Sequence, residues 1–366
     1  MDAKLFYRNP SGQLELKDFT ERIPSHQRYV HNPEGALVLK EFAADSQLGL
    51  LRIADPVSTA LVQGYTNATL IGDKIFTPVR MAKESGRFPA FGQEAFVLPG
   101  NLKREVGEKV QRLQAQSGYV TQSLSEYALG VAIENRERNE WAGAPEMLLT
   151  SKLTQVTDRI ALYREYLQAK LATTYTNYAS ALRGSGAAFK WGGATPTGDP
   201  VSDMRKLILT VQSYVGRRPN VAWFTPASWE LFIQNSAVLN RIKYGGSPIT
   251  PAQMSTRAAA ELLQVEEVLV GYAVYGTGPG QGGVGKAALT MGYLWDSVQS
   301  SNAGCFVRGT GGGIEPAFGY TWERANSPVV ESYYDNSTKS QVWDYEHFFD
   351  PAITLQAAGG IYYSIA

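Results

Sequence analysis

An α+β fold is predicted by three observations on this chain of 366 residues. Apolar residues recur at steps of three or four from Leu149 through Leu153, Val156, Ile160, Tyr163, Leu167, Leu171, Tyr175 and Tyr178 to Leu182, the period of one amphipathic helix. Residues 201–275 alternate helix-like with strand-like segments. From Lys286 onward the chain turns β-prone and aromatic, through Tyr293-Leu294-Trp295, Phe318-Gly319-Tyr320-Thr321-Trp322, Val342-Trp343-Asp344-Tyr345 and Ile361-Tyr362-Tyr363.

The first 55 or so residues mix Pro10, Pro24 and Pro33 with short apolar pieces such as Ala36-Leu37-Val38-Leu39, and no period persists. Such a segment cannot build its own core and is expected to lie across something else. Between Lys74 and Leu98 come short β-prone runs (Ile75-Phe76-Thr77, Ala95-Phe96-Val97) broken by Gly86, Pro89, Gly92 and Pro99. After a charged stretch from Lys103 to Arg112, a second β-prone run extends from Tyr119 to Ile133. Together these read as a two-stranded arm, longer than a compact domain requires.

The helical period then spans about 38 residues, roughly 55 Å at 1.5 Å per residue. Pro145 suits its first turn and Gly184-Ser185-Gly186 supplies its stop. A coiled coil or a helix lying against a sheet would explain such length; tyrosine and threonine in the last third favour the sheet. Residues 187–200 form a Gly/Pro-rich linker, a domain boundary. Beyond it the pattern predicts helix 201–215, strand Asn220 to Phe224, helix 226–234, helix 250–263 and strand Glu266 to Tyr275. Thr225-Pro226 and Thr250-Pro251 pair an N-cap with a first-turn proline at two of those helix starts.

Composition narrows the function. The 34 Lys+Arg balance 34 Asp+Glu, which argues against a generic nucleic-acid binder, whose affinity needs a basic surplus. Charged residues are 19% of the chain, below the roughly 25% usual in soluble domains. Residues 143–313 nevertheless hold 15 basic and 10 acidic side chains, and 314–366 hold 2 basic and 7 acidic. That segregation is either a solvated acidic face or an acidic surface meeting a basic surface of another copy. With Cys305 as the single cysteine, no intrachain disulfide or thiolate zinc site can form, which suggests an intracellular protein. Neither a signal-peptide core nor an apolar run of about 18 residues occurs, so neither secretion nor membrane insertion is expected.

One segment imitates an enzyme. Gly280-Gln281-Gly282-Gly283-Val284-Gly285-Lys286-Ala287 nearly fits the phosphate-binding pattern G-x-x-x-x-G-K-[ST]. That loop needs a hydroxyl for magnesium and a following helix whose N–H groups hold phosphate. Position 287 is alanine, and Ala288 to Trp295 alternates like a strand, so 276–286 reads as a Gly-rich hairpin loop. His26, His31 and His347 are too scattered for a metal site. Cys305 lies in the apolar run Ala303-Gly304-Cys305-Phe306-Val307 and reads as buried and inert. Glu266-Glu267 are neighbours in a strand and should point to opposite faces. The pairs Lys103-Arg104 and Arg217-Arg218 adjoin turn residues and read as solvent-exposed. No catalytic, cofactor-binding or metal residue is assigned.

The order of these parts resembles the major capsid protein of tailed bacteriophages, the Hong Kong 97 phage capsid fold. The resemblance is carried by Asp55-Pro56-Val57-Ser58-Thr59-Ala60-Leu61-Val62-Gln63-Gly64-Tyr65 leading to Phe76-Thr77-Pro78-Val79, and by Lys83-Glu84-Ser85-Gly86-Arg87-Phe88-Pro89-Ala90-Phe91. It continues through Asn220-Val221-Ala222-Trp223-Phe224-Thr225-Pro226-Ala227-Ser228-Trp229-Glu230-Leu231 and Val265-Glu266-Glu267-Val268-Leu269-Val270-Gly271. It spans the chain from about residue 50 to the end, and collinear order carries it, since each passage is a packing pattern.

The resemblance implies an α+β capsid fold with an N-terminal arm (1–57), a connection (58–73) and an extended β-hairpin loop (74–118) lying over a neighbouring subunit. A peripheral domain (119–199) would hold the long spine helix, about 145–182. An α/β axial domain (200–313) would lie at the capsomer centre, and 314–366 would return to complete the peripheral sheet. The implied function is a non-enzymatic shell protein of the virion, assembled in the bacterial cytoplasm into hexamers and pentamers of an icosahedral head around double-stranded DNA. Implied partners are further copies, a separate scaffolding protein, a portal and a decoration protein, with no cofactor, membrane or sequence-specific DNA contact. Some members of the family cross-link a lysine to an asparagine; Lys103 is available, without a matching motif. The alternatives are an encapsulin-type nanocompartment shell and, from another class, a nucleotide-hydrolysing enzyme built on 276–287.

Overall fold

The computed structural model describes residues 53–63, 70–90, 118–141, 145–186, 189–192, 196–244, 254–277, 290–297, 301–313 and 315–366, four short strands before residue 40, and positions 103 and 109. Those four strands are β1 (Phe6–Arg8), β2 (Leu14–Leu16), β3 (Tyr29–His31) and β4 (Leu37–Leu39). They pair antiparallel in the order β2-β1-β3-β4. Where the sequence suggests an arm lying across something else, its described pieces hydrogen-bond to one another.

Next come β5 (Ile53–Ala54), helix α1 (Pro56–Gln63) and the single turn α2 (Gly72–Ile75), then β6 (Thr77–Met81), β7 (Ser85–Ala90), β8 (Gly118–Ser123) and β9 (Ser125–Glu134). β7 and β8 pair antiparallel from Ser85↔Ser123 to Ala90↔Gly118. This is the base of the expected arm; its remainder, with Ala95-Phe96-Val97, lies outside the described residues. β6 falls within the 74–118 stretch assigned to the loop but is an edge strand of the main sheet, parallel to β16 (Gly319–Arg324), with Val79 and Met81 buried against Trp322.

After α3 (Asn135–Glu140) comes the long helix α4 (Pro145–Thr173). It starts at Pro145 as the sequence predicts but is 29 residues long, ending nine residues before Leu182. The cause is local. Thr174 is extended at ψ 107°, the Asn177 amide donates to the Leu171 carbonyl at 2.9 Å and the Tyr178 hydroxyl to the Ala172 carbonyl at 2.6 Å. Those side chains satisfy carbonyls that a continuing helix would have used. Two 3₁₀ turns then keep Tyr178 and Leu182 buried, so the apolar period outlives the helix.

β10 (Arg183–Ser185) leads to an α/β lobe of α5 (Pro200–Val215), β11 (Val221–Phe224), α6 (Pro226–Gln234), α7 (Ser236–Tyr244), α8 (Thr256–Leu263) and β12 (Glu267–Val270). α5 is capped by Asp199, which accepts from Val201 and Ser202, and closes on Gly216 at φ 69°. α6 starts at the Thr225-Pro226 pair as expected. α8 begins later than the predicted 250–263, with the Ser255 hydroxyl accepting from the Ala258 N–H; Thr250-Pro251 lies outside the described residues. The strand predicted from Glu266 to Tyr275 is broken at 271–273. It gives β12 and β13 (Val274–Thr277), and β13 pairs antiparallel with β14 (Thr290–Tyr293).

The chain closes with β15 (Ala303–Phe306), β16, β17 (Val329–Asp335), β18 (Ser340–Ile353) and β19 (Gly359–Tyr363). β18 pairs with β17, β9 and β16, and together with β5 and β6 they form a six-stranded sheet. β19 does not join it. It lies between β10 and β15 in a second, five-stranded sheet ordered β10-β19-β15-β11-β12, so only part of 314–366 completes the sheet under α4.

The reading of α4 as a helix on a sheet matches its packing. Leu153, Val156 and Ile160 pack on Val330, Tyr345 and Phe349 of the six-stranded sheet. Further along, Ala169 and Ala172 enter the larger core around Trp223, Phe306 and Phe318. That core is tight at Gly304, where an added Cβ would sit 2.5 Å from the Gly360 carbonyl oxygen and against the Trp223 indole. Gly304→Ala should therefore cost about 1–3 kcal/mol of stability. Gly312→Ala, with nothing within 4 Å of its Cβ, should stay within about 0.5 kcal/mol. Urea denaturation of both variants measures the contrast.

Candidate functional site

The phosphate-loop imitation lies outside the described residues, but its flanks are decisive. The motif is preceded by β13 and followed by β14, its antiparallel partner from Val274↔Tyr293 to Thr277↔Thr290. A phosphate loop would require a helix there. Cys305 is fully buried and burial pushes its thiol well up, so it is an inert core side chain. His347 is buried beside Tyr345 and Phe349, and burial together with the Arg164 charge holds it near 3, hence neutral. His31 lies in β3, while His26 lies outside the described residues. Among the described residues no group of three or more His, Cys, Asp or Glu is placed to hold a metal.

Glu266 and Glu267 do not point to opposite faces, because β12 starts only at Glu267. Both carboxylates reach Arg308, at 3.8 and 2.9 Å. Of the basic pairs, Arg217 meets Glu315 at 3.3 Å and Arg218 donates to the Gln264 carbonyl at 3.3 Å, both exposed. Acidic residues of β17 and β18 gather on one sheet face. Glu331 is directly opposite Asp344, and Glu346 follows two residues on, on the face away from the α4-packed Tyr345 and Phe349.

The most constrained polar cluster lies where α4 crosses from one sheet to the other. The carboxylate of Glu165, 1% exposed, accepts the Ile71 N–H at 3.0 Å, the Gly72 N–H at 2.7 Å and the Trp295 indole N–H at 2.7 Å. Gly72 is required by this approach, since a Cβ there would collide with Glu165 and Gln168. One turn along, Gln168 donates to Asp73 at 2.7 Å and to Thr321 at 2.8 Å. Arg164 pairs with Asp73 at 2.8 Å and with the half-buried Glu323. Burial raises Glu165 to about 6; the three hydrogen bonds oppose that rise and the Asp73 charge adds to it. This is a structural junction: each partner is a fixed protein group, and nothing is arranged to receive a reacting atom.

One further feature faces solvent: the side of the β13–β14 hairpin on which Val274 (43% exposed) is opposite Tyr293 (48%), with Met291 (63%) and Tyr272 (49%) alongside. The described part of the β7–β8 pair instead packs on the six-stranded sheet, with Phe88 stacked on Trp322. Tyr275, on the other face, packs inward toward Tyr166 of α4. Burial, then the Glu230 carboxylate of α6 and Tyr293, push the Tyr272 phenol up, which places Glu230 at the rim of the patch. The hairpin face was not legible in the sequence as a site; the period-2 exposure of Tyr272 and Val274 against buried Ala273 was its available signal.

Such a face suits a chain that meets copies of itself, and known proteins agree. No protein-family model matches the chain. A protein described as the major capsid protein of Burkholderia phage BcepMu is 29% identical over 293 residues, covering 78% of this chain and 88% of its own. Along most of its length the chain is thus similar to a phage major capsid protein. A solved phage-related protein of Bordetella bronchiseptica RB50 shares the fold, with a TM-score of 0.67 at 23% identity over 86% of this chain and 98% of its own. The capsid structure of cyanophage P-SCSP1u does so with a TM-score of 0.50 at 13% identity, over 82% and 89% of the two chains. The fold is of the Hong Kong 97 type, α+β, and the function is that of a structural shell protein.

The junction makes a pH-dependent expectation for this capsid protein. A carboxyl raised from 4.5 to about 6 on folding is bound more tightly by protons in the folded state. Its contribution is therefore most favourable below pH ~4.5 and declines by about 2 kcal/mol as pH rises through 6. Glu165→Gln cannot ionise. The stability difference between wild type and Glu165→Gln, from urea midpoints at pH 4.5 and 7, should shift against wild type by that amount as pH rises.

Proposed function

We propose that this major capsid protein assembles into hexamers and pentamers of an icosahedral head enclosing double-stranded DNA, without enzymatic activity. The observation that carries this reading is the similarity to a phage major capsid protein along 78% of the chain, joined to a fold with outward-facing elements. The β7–β8 arm extends a loop whose natural partner surface is a neighbouring subunit, and the α/β lobe from α5 to β15 forms the part that meets its equivalents within a capsomer. Obligate assemblies bury about 2,000–5,000 Å², and such extensions add to the surface a subunit can offer. A scaffolding protein, a portal and a decoration protein are the further partners, and the assembled shell resides in the virion after assembly in the host cytoplasm.

The neutral charge balance, 34 against 34, supports a wall that confines DNA without gripping it. Strong attraction for phosphate would oppose movement of the genome past the wall. Electrostatics then acts between subunits, where the acidic face of β17–β18 lies.

Purified protein imaged by negative stain should show shells or capsomers; a uniformly monomeric sample that hydrolyses ATP would overturn the reading. Replacing 91–117 by a two-residue turn, which joins Ala90 to its register partner Gly118, should leave a folded subunit unable to form stable shells. Free subunits should show little DNA retention in a mobility-shift experiment at physiological salt.

A further inference from the structure

The α/β lobe presents two exposed surfaces of complementary character. The first is the hairpin face of Tyr272, Val274, Met291 and Tyr293, with the exposed Glu230 at its rim. The second is the outward side of α5. Its inward residues Val201, Met204, Leu207, Ile208 and Val211 are buried, while Leu209 is 59% exposed and Lys206 lies one turn before it.

The two surfaces lie on different sides of the five-stranded sheet. α5 covers one face: Leu207 packs at Gly360, whose register partner Cys305 pairs in turn with Ala222. α6 sits at the end of β11, where Phe224 meets its Trp229 and Phe232, and from there its Glu230 reaches the hairpin patch. The opposite face carries Trp223 and Phe306, and against Trp223 packs Trp295, which follows β14 within two residues. A surface of one kind on one side of a lobe and its complement on the other is the arrangement required for a head-to-tail contact that closes into a ring.

Resting on the shell-protein reading above, we infer that the hairpin face of one copy docks on the outward side of α5 of the next copy. Leu209 seats among Met291, Val274 and the two tyrosines, and Lys206 of that copy lies at Glu230 of the first. The occupant is a second copy because both halves of the contact are present on this chain, with apolar matched to apolar and cation to carboxylate. Aromatic and methionine side chains at the centre with charges confined to the rim is also the anatomy of specific interfaces.

Met291→Asp and Leu209→Asp alter exposed side chains, so each variant should retain the wild-type circular dichroism and melting temperature. Each should shift sedimentation from shells and capsomers to free subunits. Glu230→Lys should raise the concentration needed for assembly at least tenfold, and Lys206→Glu in the same chain should restore it. Wild-type protein that never assembles would overturn the shell reading itself. Wild-type shells accompanied by normal shells from both aspartate variants, or a charge reversal that the second substitution fails to rescue, would overturn this contact alone. If Met291→Asp misfolds, Leu209→Asp and the charge pair still decide the matter.

Discussion

One helix must serve two sheets, and most of this structure follows from that constraint. The first part of α4 presents Leu153, Val156 and Ile160 to the six-stranded sheet, while Ala169 and Ala172 enter the core of the other lobe. Between them the helix needs a segment that belongs to neither, and there it carries Arg164, Glu165 and Gln168. A buried carboxylate without a partner would be expensive, so the chain supplies the backbone N–H groups of Ile71 and Gly72 at the start of α2 and an indole N–H from the lobe. The polar layer is therefore directional. Unlike an apolar contact, which tolerates sliding, three hydrogen bonds on two oxygens specify one placement of α2, α4 and Trp295. Removing a member of such a layer leaves a buried charge uncompensated.

This rigidity inside has its counterpart outside. A subunit that carries its own reference frame can present its surfaces to neighbours at defined angles. The β7–β8 pair and the β13–β14 hairpin are both two-stranded ribbons outside the two larger sheets. Such a ribbon is marginal by itself, and its stability is completed by whatever it lies against. Low charge content and many aromatics, evident at once in the composition, are thus properties of a chain whose surface is partly interior once copies meet.

Much of the fold was legible because periodic burial leaves a strong signal. Leu149 to Ile160 face a sheet in a regular helix, and the Thr225-Pro226 pair marks a helix start by chemistry alone. The misses share a cause: each was decided by contacts distant in sequence or by side chains acting on backbone. α4 ends at Thr173 because Asn177 and Tyr178 take its carbonyls, while the apolar spacing runs on unchanged through the 3₁₀ turns. α7 was missed because its short run of mixed residues has no start signal as clear as a cap–proline pair. The assignment of β19 to the second sheet depends on Gly359 to Tyr362 pairing with β15, over fifty residues earlier. As for the site, Glu165 carries no local signal in the sequence, since nothing near it reveals that its side chain is enclosed. The strand-like alternation after the phosphate-loop imitation corresponds to β14, which pairs with β13.

The position of β19 bears on the order of events during synthesis. It is an interior strand of its sheet, flanked by β10 and β15, and its residues 359–362 are buried. Every other strand of both sheets precedes it along the chain. Until translation has passed residue 363, the α/β lobe lacks a central strand, and β15 and β10 present unpaired edges. A subunit interrupted before that point has no finished lobe to offer a neighbour. A truncation before 359 would therefore open the middle of the five-stranded sheet rather than trim its edge.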